Sequence, residues 1–222
     1  MKKRTMLEED ASNGKEAEVV KALEEDIIFG RIKPGEKLTE DALLARFPVS
    51  RHFVRQAIGQ LERTGLVIRE RNKTASVRMA TPSEVQQIYD VREMLQRQAA
   101  LLIPLPAPST LIDELNRIQE KYAAAVKAGQ LRRVHELNDQ FHLKFFSACG
   151  NPYLVQTIEH YMHLTLIVRA KTLADPKMRQ VSRHHHELMI ELLKGRDRWA
   201  LAQLCVDHIQ PSKDVFLQGR TG

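Results

Sequence analysis

The sequence has little cysteine, no long apolar run and no catalytic signature of the common metallohydrolase or nucleotide-binding type. Its 222 residues include two cysteines. Cys149 and Cys205 stand apart without a CxxC partner, which excludes a disulfide framework or a zinc finger and fits a reducing compartment. No window approaches the roughly 18 apolar residues that a membrane span needs. The opening MKKRTMLEEDASNGKE is basic at its start but lacks the apolar stretch of a signal peptide, so a cytoplasmic location is expected and no membrane partner. HExxH, a nucleophile elbow and a phosphate-binding glycine loop are all missing. What is present is ordinary for a globular chain, 43% apolar and 28% charged. The length suits two modest domains, with disorder expected over residues 1–15.

The net charge of +6 is unevenly placed. Between Arg46 and Arg78 lie eight basic residues (Arg46, Arg51, Arg55, Arg63, Arg69, Arg71, Lys73, Arg78) against two acids, Glu62 and Glu70. That local surplus equals the excess of the whole chain. A solvated helix face is the bland meaning of such a run, whereas a polyanion partner exploits it through release of condensed counterions.

Periodicity organises the same region. Val19, Val20, Leu23, Ile27 and Ile28 recur at helical spacing over 16–30 and end at Gly30. Pro34-Gly35 reads as a turn, Thr39 as the cap of a short second helix carrying Leu43, Leu44 and Phe47, and Pro48 as its terminator. Ser50 caps a third helix whose inward positions are Val54, Ile58 and Leu61. Two β-prone stretches, Leu66 to Ile68 and Ala75 to Val77, flank a basic tip and predict a hairpin. Helices followed by a hairpin make a winged helix-turn-helix over 16–80, a DNA-binding arrangement whose third helix enters the major groove.

Thr81-Pro82-Ser83-Glu84 is a capping box with proline at the first helical position, which sets a domain boundary. Helices are predicted over about 82–103, 109–128, 130–149, 152–173, 177–194 and 197–217, with no strand signal among them. The expected fold is mainly α, with an all-α antiparallel bundle over 81–218 able to enclose a small molecule.

The stretch FGRIKPGEKLTEDALLARFPVSRHFVRQAIGQLERTGLV resembles the N-terminal signature of the GntR family of bacterial regulators. The second half, with DVREML, NDQFHLKFFSACGN, HHELMIELLKGRD and a late His208, resembles the helical (FCD) domain of its FadR-like subfamily. Together they cover roughly residues 18–212. The resemblance implies DNA contacts by Ser50, Arg51, His52 and Arg55 at the start of the reading helix and by Arg71 and Asn72 in the wing. Pro48 and Thr74 stand where the family usually has glycine, so the turn and the wing tip are expected to differ in shape. The resemblance further implies a homodimer on a palindromic operator, acting as a repressor answering to an effector.

In many members of the subfamily an Asp and three His hold a divalent metal beneath the effector. The matching positions read here are Asn138, His142, His185 and His208, for zinc, nickel or manganese. The spacing is compatible: Asn138 and His142 lie one turn apart, Leu201, Leu204, Cys205 and His208 form one stripe, and His185 precedes Leu188, Met189 and Leu192. Such a donor set suits a first-row divalent ion. Asn138 replaces the usual aspartate and brings an oxygen without charge. His184 and His186 are expected at the surface or the pocket rim, and His135 lies about 10 Å from His142 along the helix, too far to share its ion. Arg92 matches an effector-facing position, where a guanidinium clamps a small carboxylate. Taken singly, each histidine is a core or surface residue and Arg92 a helix-surface cation; the arrangement argues for the site. Two alternatives stand beside it: a metal-dependent hydrolase built on the histidines, and a metal-free regulator sensing acids through Arg92.

Overall fold

The chain divides into two compact units, meeting at Ala80 and Thr81, and the computed structural model describes residues 17–71 and 73–218. It is mainly helical with one small antiparallel sheet.

The first unit contains α1 (residues 17–28), α2 (Glu40–Arg46), α3 (Arg51–Arg63), β1 (Val67–Ile68) and β2 (Ser76–Val77). Leu23, Val54, Ala57, Ile58, Leu61 and Val77 form its buried centre. Asp26 of α1 is almost fully buried and pairs with Arg31 and with Arg46 at the end of α2. Although burial alone would raise it, the two guanidiniums hold its pKa below the usual carboxylate range. A Schellman closure ends α3: the Leu66 amide donates to the Leu61 carbonyl at 3.0 Å and the Gly65 amide to that of Glu62 at 3.0 Å. This requires Gly65 at φ 76, where a side chain would be strained. In the hairpin Val67 lies opposite Val77 and Ile68 opposite Ser76. The segment after Pro34-Gly35 does more than turn. The Leu38 amide donates to the Ala75 carbonyl at 2.8 Å and the Val77 amide to that of Glu36 at 2.9 Å, so this segment lines the outer edge of β2.

The second unit contains α4 (Pro82–Leu102), α5 (Ser109–Lys127), α6 (Leu131–Ser147), α7 (Pro152–Leu164), α8 (Leu166–Ala174), α9 (Pro176–Lys194) and α10 (Arg198–Gln218). The Thr81–Glu84 capping box opens α4 as the sequence predicts. α4 packs along α10, α5 along α6, and α9 touches both α5 and α10. Their shared core is built on Leu115, Tyr122, Leu137, Phe141, Phe145, Phe146, Leu193 and Leu201, all fully buried.

The helix predicted over 152–173 is two helices. Thr165 breaks it at φ −105, ψ 12. Its hydroxyl lies 3.0 and 3.2 Å from the Tyr161 and Met162 carbonyls and accepts from Arg92 Nη1 at 3.0 Å. A contact from a helix 73 residues away, invisible to local periodicity, sits at the break.

Candidate functional site

Three imidazoles converge inside the helical unit. His142 comes from α6, His186 from α9 and His208 from α10, and one ring nitrogen of each lies within 4.8 Å of the others. His142 Nε2 is 3.0 Å from His208 Nε2 and 3.4 Å from His186 Nε2. Two nitrogens on a tetrahedral zinc lie roughly 3.3 Å apart. Burial, the largest cause for each, pushes all three pKa values well below 6.5. The rings are therefore neutral at pH 7. A neutral His142 Nε2 offers either one proton or one lone pair, so it cannot satisfy both neighbouring nitrogens as a donor. A cation at the meeting point would satisfy all three.

The tautomer of His186 is set from outside. Gln119 Nε2 donates to the Arg183 carbonyl at 2.9 Å, which turns its Oε1 toward His186 Nδ1 at 3.2 Å. The proton therefore belongs on Nδ1, and the Nε2 lone pair faces the cluster. Phe141 stacks on the same ring at 4.0 Å between centroids. Gln119 was not legible as a functional residue, although one signal pointed to it: an amide within the apolar stripe Leu115–Ile118–Tyr122.

This arrangement corrects the sequence reading at one position. His186, expected at the surface or rim, is fully buried in the trio, whereas the expected ligand His185 is only half-buried and lies 5.6 Å from the His208 ring between centroids. The cause is the register of α9. Its buried face runs through Ser182, His186, Met189, Ile190 and Leu193, and Leu188, which anchored the other register, is exposed.

Two of the trio, His142 and His208, line a cavity of about 40 Å³, with Arg92, Asn138, Arg169, Ser182 and the half-buried His185 also on its wall. Asn138 is buried one turn before His142, and its Oδ1 is 3.5 Å from Ser182 Oγ. Arg92 is 4% exposed and lies 4.9 Å over the Tyr89 ring, so the surface reading of this arginine does not hold. Its Nη1 donates to Thr165 while Nε has no partner. Burial lowers its pKa to about 10, which leaves it charged at pH 7. The sequence reading passed over Arg169. This second buried guanidinium pairs with Asp139 and donates from Nη2 to the Met162 carbonyl at 3.2 Å.

In the first unit, Ser50, Arg51, His52 and Arg55 are exposed together at the start of α3. The Ser50 hydroxyl makes no capping bond. Arg51 donates to Glu40 at 3.2 Å and Asp41 at 3.0 Å, and Arg55 Nε donates to Glu40 at 2.7 Å. Glu40 thereby raises the Arg55 pKa. Acids outside the basic segment thus offset part of its surplus. Arg71 is exposed at the wing, and Asn72 lies outside the described residues.

A profile described as bacterial regulatory proteins, gntR family, matches residues 15–77, and one described as FCD domain matches residues 87–211. The chain belongs to the GntR family, with an FCD domain. Among its GntR relatives, the HTH-type transcriptional regulator YdhC of Bacillus subtilis is 26% identical over 187 residues, spanning 84% of each chain. The gluconate operon transcriptional repressor of the same organism is 26% identical over 184 residues, 80% of this chain and 74% of the relative. The solved structure of E. coli McbR/YncC has the same fold at TM-score 0.77 and 19% identity, covering 92% of this chain and 98% of that one. These GntR matches make the chain a DNA-binding transcriptional regulator and set aside the hydrolase alternative. Among the described residues no helix is long and apolar enough to cross a membrane.

Proposed function

We propose that this GntR-family regulator is a ligand-responsive repressor that binds a palindromic operator as a homodimer, and that a divalent metal in its FCD domain receives a small carboxylate effector. One observation carries the reading: three neutral Nε2 atoms converge beside a cavity that also buries the charged Arg92. His142, His186 and His208 would hold the ion, with the Asn138 amide oxygen available on the same wall. The ion supplies a fixed positive charge to which an anion binds. Arg92 orients the carboxylate by its planar fork, and the apolar core around Phe141 and Phe145 keeps the charges out of water. Repression is supported by relatives named as repressors, that of the gluconate operon among them.

On a two-fold operator the reading heads meet half-sites about 34 Å or more apart, so a small effector-driven change in their spacing releases DNA. Because the ligands are neutral, ion and carboxylate strengthen each other's binding. A mobility-shift titration on the DNA upstream of the chain's own gene tests this. Specific, salt-sensitive binding that weakens with carboxylate plus zinc is expected. Absence of specific binding, or carboxylate affinity unchanged by a chelator in calorimetry, would overturn the reading.

A further inference from the structure

Two buried guanidiniums face one cavity that is lined by no Asp or Glu among the described residues. Arg92 and Arg169 are 4% and 5% exposed. Among the described residues no carboxylate pairs with Arg92, whose Nη1 donates to Thr165, whereas Asp139 takes both terminal nitrogens of Arg169. The Nε of each arginine is buried without a partner.

We infer that the cavity selects dicarboxylates over monocarboxylates, with Arg169 as the anchor of the second carboxylate. The inference rests on the metal-assisted reading above, because the charge count depends on the ion. Without metal, the two guanidiniums and Asp139 leave a single positive charge, which one carboxylate neutralises. A divalent ion on three imidazoles and the Asn138 amide raises the count to three. A monocarboxylate then leaves two buried positive charges and a dicarboxylate leaves one. Each uncompensated charge away from water is costly, so the second carboxylate is favoured only in the metal-loaded protein.

Asn138 decides the matter. An aspartate there would lower the count by one, and a monocarboxylate would leave the same single charge that a dicarboxylate leaves now. The second carboxylate also has a donor to meet: Ser182 brings a hydroxyl to the wall that Arg169 lines, whereas the Thr172 hydroxyl already donates to the Val168 carbonyl at 3.3 Å. Arg169 Nε is free to donate while its other nitrogens stay on Asp139.

Calorimetry on the full-length zinc-loaded protein tests this, using straight-chain acids of three to six carbons, each monocarboxylate matched to the dicarboxylate of equal length. The best dicarboxylate is expected to bind at least about tenfold tighter than its partner, and chelation to bring the two within about threefold. Asn138→Asp should shrink the ratio in the zinc-loaded protein. Arg169→Lys, which keeps the charge and the Asp139 pair but loses the fork, should weaken dicarboxylates and leave monocarboxylates unchanged. A ratio near one with zinc present, or a ratio indifferent to both substitutions, overturns the inference and leaves the carboxylate reading standing. If neither class binds the zinc-loaded protein, that reading falls as well.

Discussion

His186 and His185 differ by 100° around α9, and that angle decides which one reaches His142. Both registers of the helix looked apolar in sequence, since Leu188, Met189, Ile190, Leu192 and Leu193 crowd one segment and three histidines precede them. Only packing against Phe141 and Tyr122 separates them. Asn138, His142 and His208 were legible because each sits on a stripe with one possible register. Gln119 orients His186, so Gln119→Leu is expected to weaken zinc binding about tenfold or more, read by competition with a chromophoric chelator, with the fold intact by circular dichroism.

His135 offers a separate test. Burial, and then the Arg169 charge, lower its pKa to about 4. Between pH 6.5 and 4 the unfolded chain binds a proton that the folded chain refuses, so stability is full above 6.5 and falls as the pH drops through that window. The slope from this group is at most about 1.4 kcal/mol per pH unit. In metal-free protein, urea unfolding should therefore lose stability on acidification, and His135→Leu should make the loss shallower by about one proton.

Elements with strong periodicity and clear ends were read correctly from sequence, α3 and α4 above all. α3 begins after Ser50, although that hydroxyl makes no capping bond and the expected cap is not formed, and ends at the Gly65 closure, while α4 opens on its capping box. Thr81→Ala should cost about 1 kcal/mol, measured by chemical denaturation. Two features escaped because their causes are not local. The 36–38 segment pairs with β2, whose residues lie almost 40 positions later, and the break at Thr165 meets Arg92 on α4. At the reading helix, Arg55 is held by its inner nitrogen on Glu40, and both terminal nitrogens of Arg51 are engaged by acids. Arg55→Ala should cost about 1–3 kcal/mol in specific operator binding, with little change in binding to unrelated DNA, by fluorescence anisotropy. If unrelated DNA weakens equally, Arg55 contacts phosphate and not a base.

For the whole molecule, a basic N-terminal segment and a helical second half were legible because the charge is concentrated in one and the helix breakers in the other are evenly spaced, whereas the family was legible only through the motifs that resemble it. Of the three converging imidazoles, His142 and His208 were read on inward stripes and His186 was not, since three helices far apart in sequence bring the nitrogens together. The account turns on that convergence. Elemental analysis of purified wild type, His185→Ala and His186→Ala, each loaded with zinc and desalted, tests it most directly. The expected result is about one ion per chain in wild type and in His185→Ala, and essentially none in His186→Ala, which loses one of the three imidazoles that hold the ion. Zinc retained by His186→Ala, or absent from the wild type, would contradict it.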